Sequence, residues 1–147
     1  MIVHNVVIGE QTSEQVSDGG HKIIYVGCAE SDFKYRDMLV YGRHRWELYS
    51  KPTIEFRTFD RQGMALIQCK PIIDDAIKRV DGVMSIVSSQ TARDPLALWE
   101  IDCAISNGIS IVGVDVRRKS EGVIPRRLVG KMTRYGWEWF ATFFNGL

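Results

Sequence analysis

Three short runs, at residues 22–27, 82–87 and 110–116, are almost continuously apolar, and they limit what this chain can fold into. A strand exposed on one face alternates apolar with polar residues. A run without alternation needs cover on both faces, as in a parallel sheet sandwiched between helices. The stretches between the runs have helical spacing. Residues 32–48 carry Phe33, Met38, Leu39 and Trp46 at such intervals. Residues 70–80 place Ile72, Ile73, Ala76, Ile77 and Val80 on one stripe, with Pro71 suited to a first turn. Asp94 reads as an N-cap and Pro95 as the first residue of a helix that runs to the stop pair Asn107-Gly108.

The remaining segments complete the alternation. Residues 53–60 alternate in polarity and read as a half-exposed or edge strand, closed by a turn at Asp60-Arg61-Gln62-Gly63. Residues 124–129 suggest a short helix, 131–135 a short fifth strand and 137–144 a closing aromatic helix. Alternating strands and helices imply right-handed parallel crossovers. The expected fold is therefore α/β: a three-layer, doubly wound parallel sheet of flavodoxin-like type, with five strands in the order 2-1-3-4-5. The chain has 147 residues, which suits one domain. That domain is expected over residues 21–147. Residues 1–20 read as a polar arm, a mobile leader, with an added edge strand or partner-binding arm as the alternative.

Charge and cysteine use narrow the partners. With 19 basic and 18 acidic residues the formal charge is +1, so bulk electrostatics suggests neither a nucleic-acid nor a membrane partner. Cys28, Cys69 and Cys103 form no Cys-x-x-Cys pair, and His4, His21 and His44 lack ligand spacing. Neither a disulfide scaffold nor a metal site is expected. There is no long apolar N-terminal run, which points to a reducing cytoplasm. Dinucleotide-binding Gly-x-Gly-x-x-Gly, Walker A and Gly-x-Ser-x-Gly motifs are absent, and the run at 82–87 is followed by serines where a phosphoacceptor domain needs an aspartate.

Within the helix beginning at Pro95, about 100° per residue puts Ala97, Ile101, Ala104, Ile105 and Gly108 on the sheet-facing side. Glu100 falls on the flank of that face, beside Ala104, with Trp99 and Cys103 further round. A flanking carboxylate near a helix N-terminus is expected to be ionised, at the rim of the crevice where open α/β sheets bind ligands. The plain alternative is a surface glutamate paired with a neighbouring cation.

Four parts of the chain, in order, carry a family likeness: the strand at 22–27, the acidic loop Cys28–Asp32, the segment Trp99–Ala104 and the Trp-rich tail at 137–140. Together they resemble a Toll/interleukin-1 receptor (TIR) domain over roughly residues 22–145, in particular the TIR-like proteins of bacterial antiphage defence, the Thoeris type. The resemblance implies an enzyme that cleaves the nicotinamide–ribose bond of NAD⁺, with Glu100 as the catalytic glutamate and NAD⁺ as substrate rather than cofactor. One ionised carboxylate is enough for this chemistry. Nicotinamide departs from NAD⁺ as a neutral molecule, so no acid must protonate it, unlike the leaving group of an O-glycoside.

The resemblance also implies self-association, an ADP-ribose-derived product, linear or cyclic, and an effector protein that responds to it. The substrate contacts it suggests are Cys28, Ala29, Asp32, Phe33, Phe59, Asp60, Arg61, Ser88 and Trp99. Many family members carry a tryptophan four residues before the glutamate, where this chain has Leu96. Ring stacking then falls to Phe33, Tyr35 or Phe59. The first loop has Cys28-Ala29-Glu30 where some members place a basic residue. Cys28 reads as a small buried residue rather than a nucleophile. Asp32 suits a ribose contact or a helix cap, and Ser88 and Ser89 suit substrate donors or a solvated loop. The basic late segment, Arg117 to Arg134, suits a solvated face, a nucleotide phosphate or an acidic partner. Two other functions fit the same order of elements: a non-catalytic TIR-like interaction module, and a nucleoside deoxyribosyltransferase-like enzyme.

Overall fold

Six parallel strands form one sheet in the computed structural model of the protein, which describes residues 2–8, 21–42 and 53–147. The strands are β1 (Ile2–Val7), β2 (His21–Gly27), β3 (Thr53–Thr58), β4 (Gly82–Val87), β5 (Ser110–Asp115) and β6 (Met132–Arg134). The helices are α1 (Phe33–Tyr41), α2 (Leu66–Ile77), α3 (Pro95–Ser106) and α4 (Trp137–Asn145). Across the sheet the order is β1-β3-β2-β4-β5-β6. The five strands from His21 onward thus lie in the expected 2-1-3-4-5 order. A sixth is added outside them, where Ile2–Val7 pairs in register with Thr53–Thr58. For those residues the edge-strand alternative holds, while residues 9–20 of the arm lie outside the described part.

The sheet is covered on both faces. Ile24 and Val26 of β2, Phe56 of β3 and Met84 of β4 pack against Leu39 and Val40 of α1 and Phe140 and Phe144 of α4. On the opposite face, Tyr25 and Val83 meet Ile73 and Ile77 of α2 and Cys103 and Ala104 of α3. This is why the runs at β2, β4 and β5 show no alternation: both sets of side chains have helix partners. No described helix is long and apolar enough to cross a membrane.

Three local expectations are corrected. β3 is not an edge strand, since β1 and β2 flank it. Its polar alternation reflects ion pairing rather than solvent: buried Glu55 bonds Arg57 and lies 3.4 Å from His21. α2 starts at Leu66 rather than Lys70, because the Gln68 side chain turns back to accept the Ala65 amide at 3.1 Å. Pro71 therefore lies inside the helix, on its exposed side. α1 ends at Tyr41, and Trp46, expected in the same helix, lies outside the described residues.

Candidate functional site

The loops after β2, β3, β4 and β5 all leave the carboxyl ends of parallel strands. β2 is where the winding reverses, with β3 on one side and β4 on the other, and ligand sites of open α/β sheets sit at such switch points. A cleft of about 610 Å³ opens there on the α2/α3 side, lined by Glu30, Ser31, Arg61, Arg93, Asp94 and Leu96 among others. Cys28, Phe33 and Phe59 border a narrow slot of about 20 Å³ with Arg61, Asp94 and Leu96.

Glu100 lies in the next turn of α3 below Leu96, and its position corrects the sequence reading. It is 5 % exposed and faces the sheet rather than the rim. Its carboxyl accepts a short hydrogen bond from the Tyr25 hydroxyl. Two features make this depth possible. Ala97 and Ala104 keep the sheet-facing side of α3 thin, and Gly27 presents no side chain. A Cβ on Gly27 would stand 2.8 Å from the Glu100 carboxyl carbon. Tyr25 and Gly27, two apart on β2, share one face of the strand and cradle the carboxyl together.

Burial also decides the charge. Removal from water raises the Glu100 pKa from 4.5 to about 8, against the opposing pull of the Tyr25 hydrogen bond. The expected ionised rim carboxylate is therefore a neutral, enclosed acid at neutral pH. Tyr25 is itself held well above its ordinary value, by burial first and then by Glu100. Both groups keep their protons at neutral pH, and the Tyr25 hydroxyl donates to the carboxyl inside the core.

The other expected contacts divide into groups. Phe33, Phe59, Cys28 and Arg61 border the slot or cleft; of the rings expected to replace the missing tryptophan, Tyr35 instead lines a second cleft on the α1 side. Arg61 is tied by its Nε to the Met64 carbonyl at 2.6 Å, and the turn at 60–63 is real, with Gln62 and Gly63 at φ 48° and 78°. Asp60 instead pairs at 2.9 Å with Arg36, a buried guanidinium that also covers the Phe33 ring at 4.2 Å. Ala29 is buried and contributes its carbonyl to the Asp32 amide at 2.9 Å. Trp99 is turned away: its indole donates to the Lys70 carbonyl of α2 at 3.2 Å, so it braces two helices rather than lining the cleft.

Asp32 and Ser88 meet across the switch point, where the Ser88 hydroxyl donates to the buried Asp32 carboxylate. Asp32 occupies the N-cap position of α1 without capping it, because its carboxylate is turned to Ser88. Burial drives the Cys28 thiol far above its ordinary pKa and that of Cys103 to about 12, which leaves neither a ready nucleophile. Among the described residues no three His, Cys, Asp or Glu side chains come together as metal ligands.

Asp94 does more than the sequence suggested. One oxygen accepts the Leu96 and Ala97 amides at 2.9 and 3.0 Å, the expected cap. The other accepts the Glu30 amide at 3.1 Å, tying the β2 loop to the start of α3 across the cleft. Asp94→Ala is expected to lower unfolding free energy by about 1–2 kcal/mol, the upper part of the range for a lost cap. Urea denaturation checks this, and a loss below about 1 kcal/mol, which the cap alone accounts for, would show that the tie to Glu30 adds nothing.

No family model matches the chain, and no curated protein matches it. What can be said of function rests on these side chains. Sequence reasoning missed Tyr25, Gly27 and Arg36. Tyr25 left one signal, a lone hydroxyl within an apolar run, since a buried tyrosine usually finds a partner for it.

Proposed function

We propose that the chain is a TIR-like enzyme that breaks the nicotinamide–ribose bond of NAD⁺ and yields an ADP-ribose-derived signal in antiphage defence. The observation that supports it best is a single carboxyl, Glu100, held against the end of β2 one helical turn beneath a switch-point cleft. In this reading the nicotinamide ribose enters between Leu96 and the loop at Cys28–Asp32, with Phe33 and Phe59 as the nearby ring faces. The bond from the ribose anomeric carbon to the pyridinium nitrogen breaks, and its electron pair leaves with neutral nicotinamide. Ionised Glu100 stabilises the ribosyl cation until water or a nucleophile of the same substrate captures it, with loss of a proton to solvent where that nucleophile is water or a hydroxyl.

The neutral resting state of Glu100 sets the conditions for activity. The carboxyl must lose its proton and the floor of the cleft must open toward the substrate. Association between subunits, completing the site from a neighbour, is the proposed trigger for that opening. Because kcat/KM reports ionisations of the free enzyme, it is expected to rise about tenfold per pH unit below the Glu100 pKa of about 8 and to level off above it. Nicotinamide release followed by mass spectrometry measures this on concentrated, assembled protein. A flat profile, or no release at any concentration, rejects the mechanism.

One observation favours a second reading. A buried neutral acid bonded to a tyrosine is also a way to lock α3 onto β2, and a non-catalytic interaction module would need nothing more. That reading expects no nicotinamide release in any assembly state.

A further inference from the structure

A second cleft, of about 260 Å³, lies on the α1 side of the loop after β2, walled by the loops after β4 and β5. Ser31 and Gln90 form the ridge between it and the larger cleft. Its volume suits a small metabolite rather than a dinucleotide.

The lining is built rather than incidental. Asp32 and Ser88, 5 % and 8 % exposed, form a buried bonded pair in its wall. The Ser88 hydroxyl is used twice, since it also accepts the Gln90 amide at 3.1 Å. The Asp32 carboxylate has one oxygen engaged by Ser88, which leaves acceptor capacity on the other. The far wall is fixed by Arg117, which grips Asp115 through two 3.0 Å contacts and donates to the Gly122 carbonyl at 3.1 Å. Gly122 is pressed so closely on Ser89 that a Cβ there would lie 2.7 Å from the Ser89 Cα.

Charge within the cleft is mixed in a way that defines a ligand. Arg117 and Asp115 cancel each other. Lys34 and Arg118 line the cleft and make no ion pair among the described residues. Asp32 and Glu121 supply carboxylates. A ligand that satisfies both sets carries a multiply charged anion for the two cations and hydroxyl donors for the carboxylates. Lys and Arg bind phosphate through charge-assisted hydrogen bonds, and a carboxylate accepts from sugar hydroxyls. From this combination we infer that the cleft bounded by Asp32, Ser88, Lys34 and Arg118 is a binding site for a phosphorylated sugar of ribose 5-phosphate size. The site draws on Asp32 and Ser88, which the resemblance gave to NAD⁺, and shares Ser31 and Gln90 with the larger cleft, but it uses none of the atoms around Glu100.

The test is calorimetric titration of the full chain with ribose 5-phosphate, and with ribose and inorganic phosphate separately. Saturable binding is expected for ribose 5-phosphate, at least about tenfold tighter than for either part alone. The double variant Lys34→Glu/Arg118→Glu, both exposed positions, is expected to weaken it at least about tenfold with an unchanged melting temperature. Glu100→Gln should bind as the unaltered protein does. The assignment is overturned by absence of saturable binding, by equal binding in the double variant, or by phosphate alone binding as tightly. Loss of binding in Glu100→Gln overturns it too, because the ligand would then occupy the other cleft. Nicotinamide is not measured, so failure here leaves the proposed reaction untouched, and an inert NAD⁺ assay leaves this site untouched.

Discussion

Glu100→Gln is expected to remove nicotinamide release while making the subunit more stable than the unaltered protein at pH 8. The two effects have one cause. Glutamine reproduces the neutral acid in size and can still accept from Tyr25, but it cannot ionise to stabilise a ribosyl cation. For the glutamate, the folded pKa of about 8 exceeds the ordinary value of 4.5. Below pH 4.5 both states hold the proton and this group adds no pH dependence. Between pH 4.5 and about 8 the unfolded chain releases the proton while the folded one retains it, so stability falls as pH rises. The slope from this group approaches about 1.4 kcal/mol per pH unit, and it ends above the folded pKa. Urea midpoints for both proteins, measured across that window, should converge at its acid end and diverge toward pH 8. Parallel curves would mean that Glu100 is not a buried neutral acid.

Gly27→Ala is the second large effect. Cβ atoms are not found 2.8 Å from a carboxyl carbon, and an alanine here would meet that carbon and both oxygens of Glu100 within 2.9 Å. A surface carboxylate would swing aside at little cost. This one is held by the Tyr25 hydroxyl, and moving it breaks a bond that has no replacement in the core. Overpacking of this kind costs about 1–3 kcal/mol, and a Tyr25 hydroxyl left without its acceptor adds about 1–3 kcal/mol more. The strain belongs to the pair, so Glu100→Ala in the same chain should relieve part of it. Chemical denaturation of the two single variants and the double variant gives the coupling. If the two losses simply add, the close approach of β2 and Glu100 is not the source of the effect.

The fold could be read from the sequence because its evidence is local. Unbroken apolar runs at β2, β4 and β5 required two covered faces, and Asp94-Pro95 marked the start of α3 by an interaction spanning only three residues. The errors arose where distant segments decide the outcome. β3 resembled an edge strand because Glu55 and Arg57 are polar, and only the position of β1 makes it interior. The start of α2 depended on one side chain, Gln68, folding back on Ala65. At the site, helical phase placed Glu100 near the sheet but could not give its depth. That depth depends on Gly27, seventy-three positions earlier, where the absence of a side chain leaves no periodic signal. Trp99 came into the expected contacts through the resemblance alone; helical phase already turned it away from Glu100, by about 100° for one residue.

The place of β1 bears on the order in which the chain assembles. Among the described strands, β1 precedes β2 in the chain but pairs with β3. Among the described residues, residues 2–7 have no strand partner until Thr53–Thr58 has been made, whereas β2 has two later neighbours, β3 and β4. The closure between Ile2 and Thr53 spans about fifty residues, and such non-local pairing is slow to form. On a ribosome β1 therefore waits for β3 to be made. It joins the sheet as a late addition to the growing edge rather than as the seed from which the sheet begins.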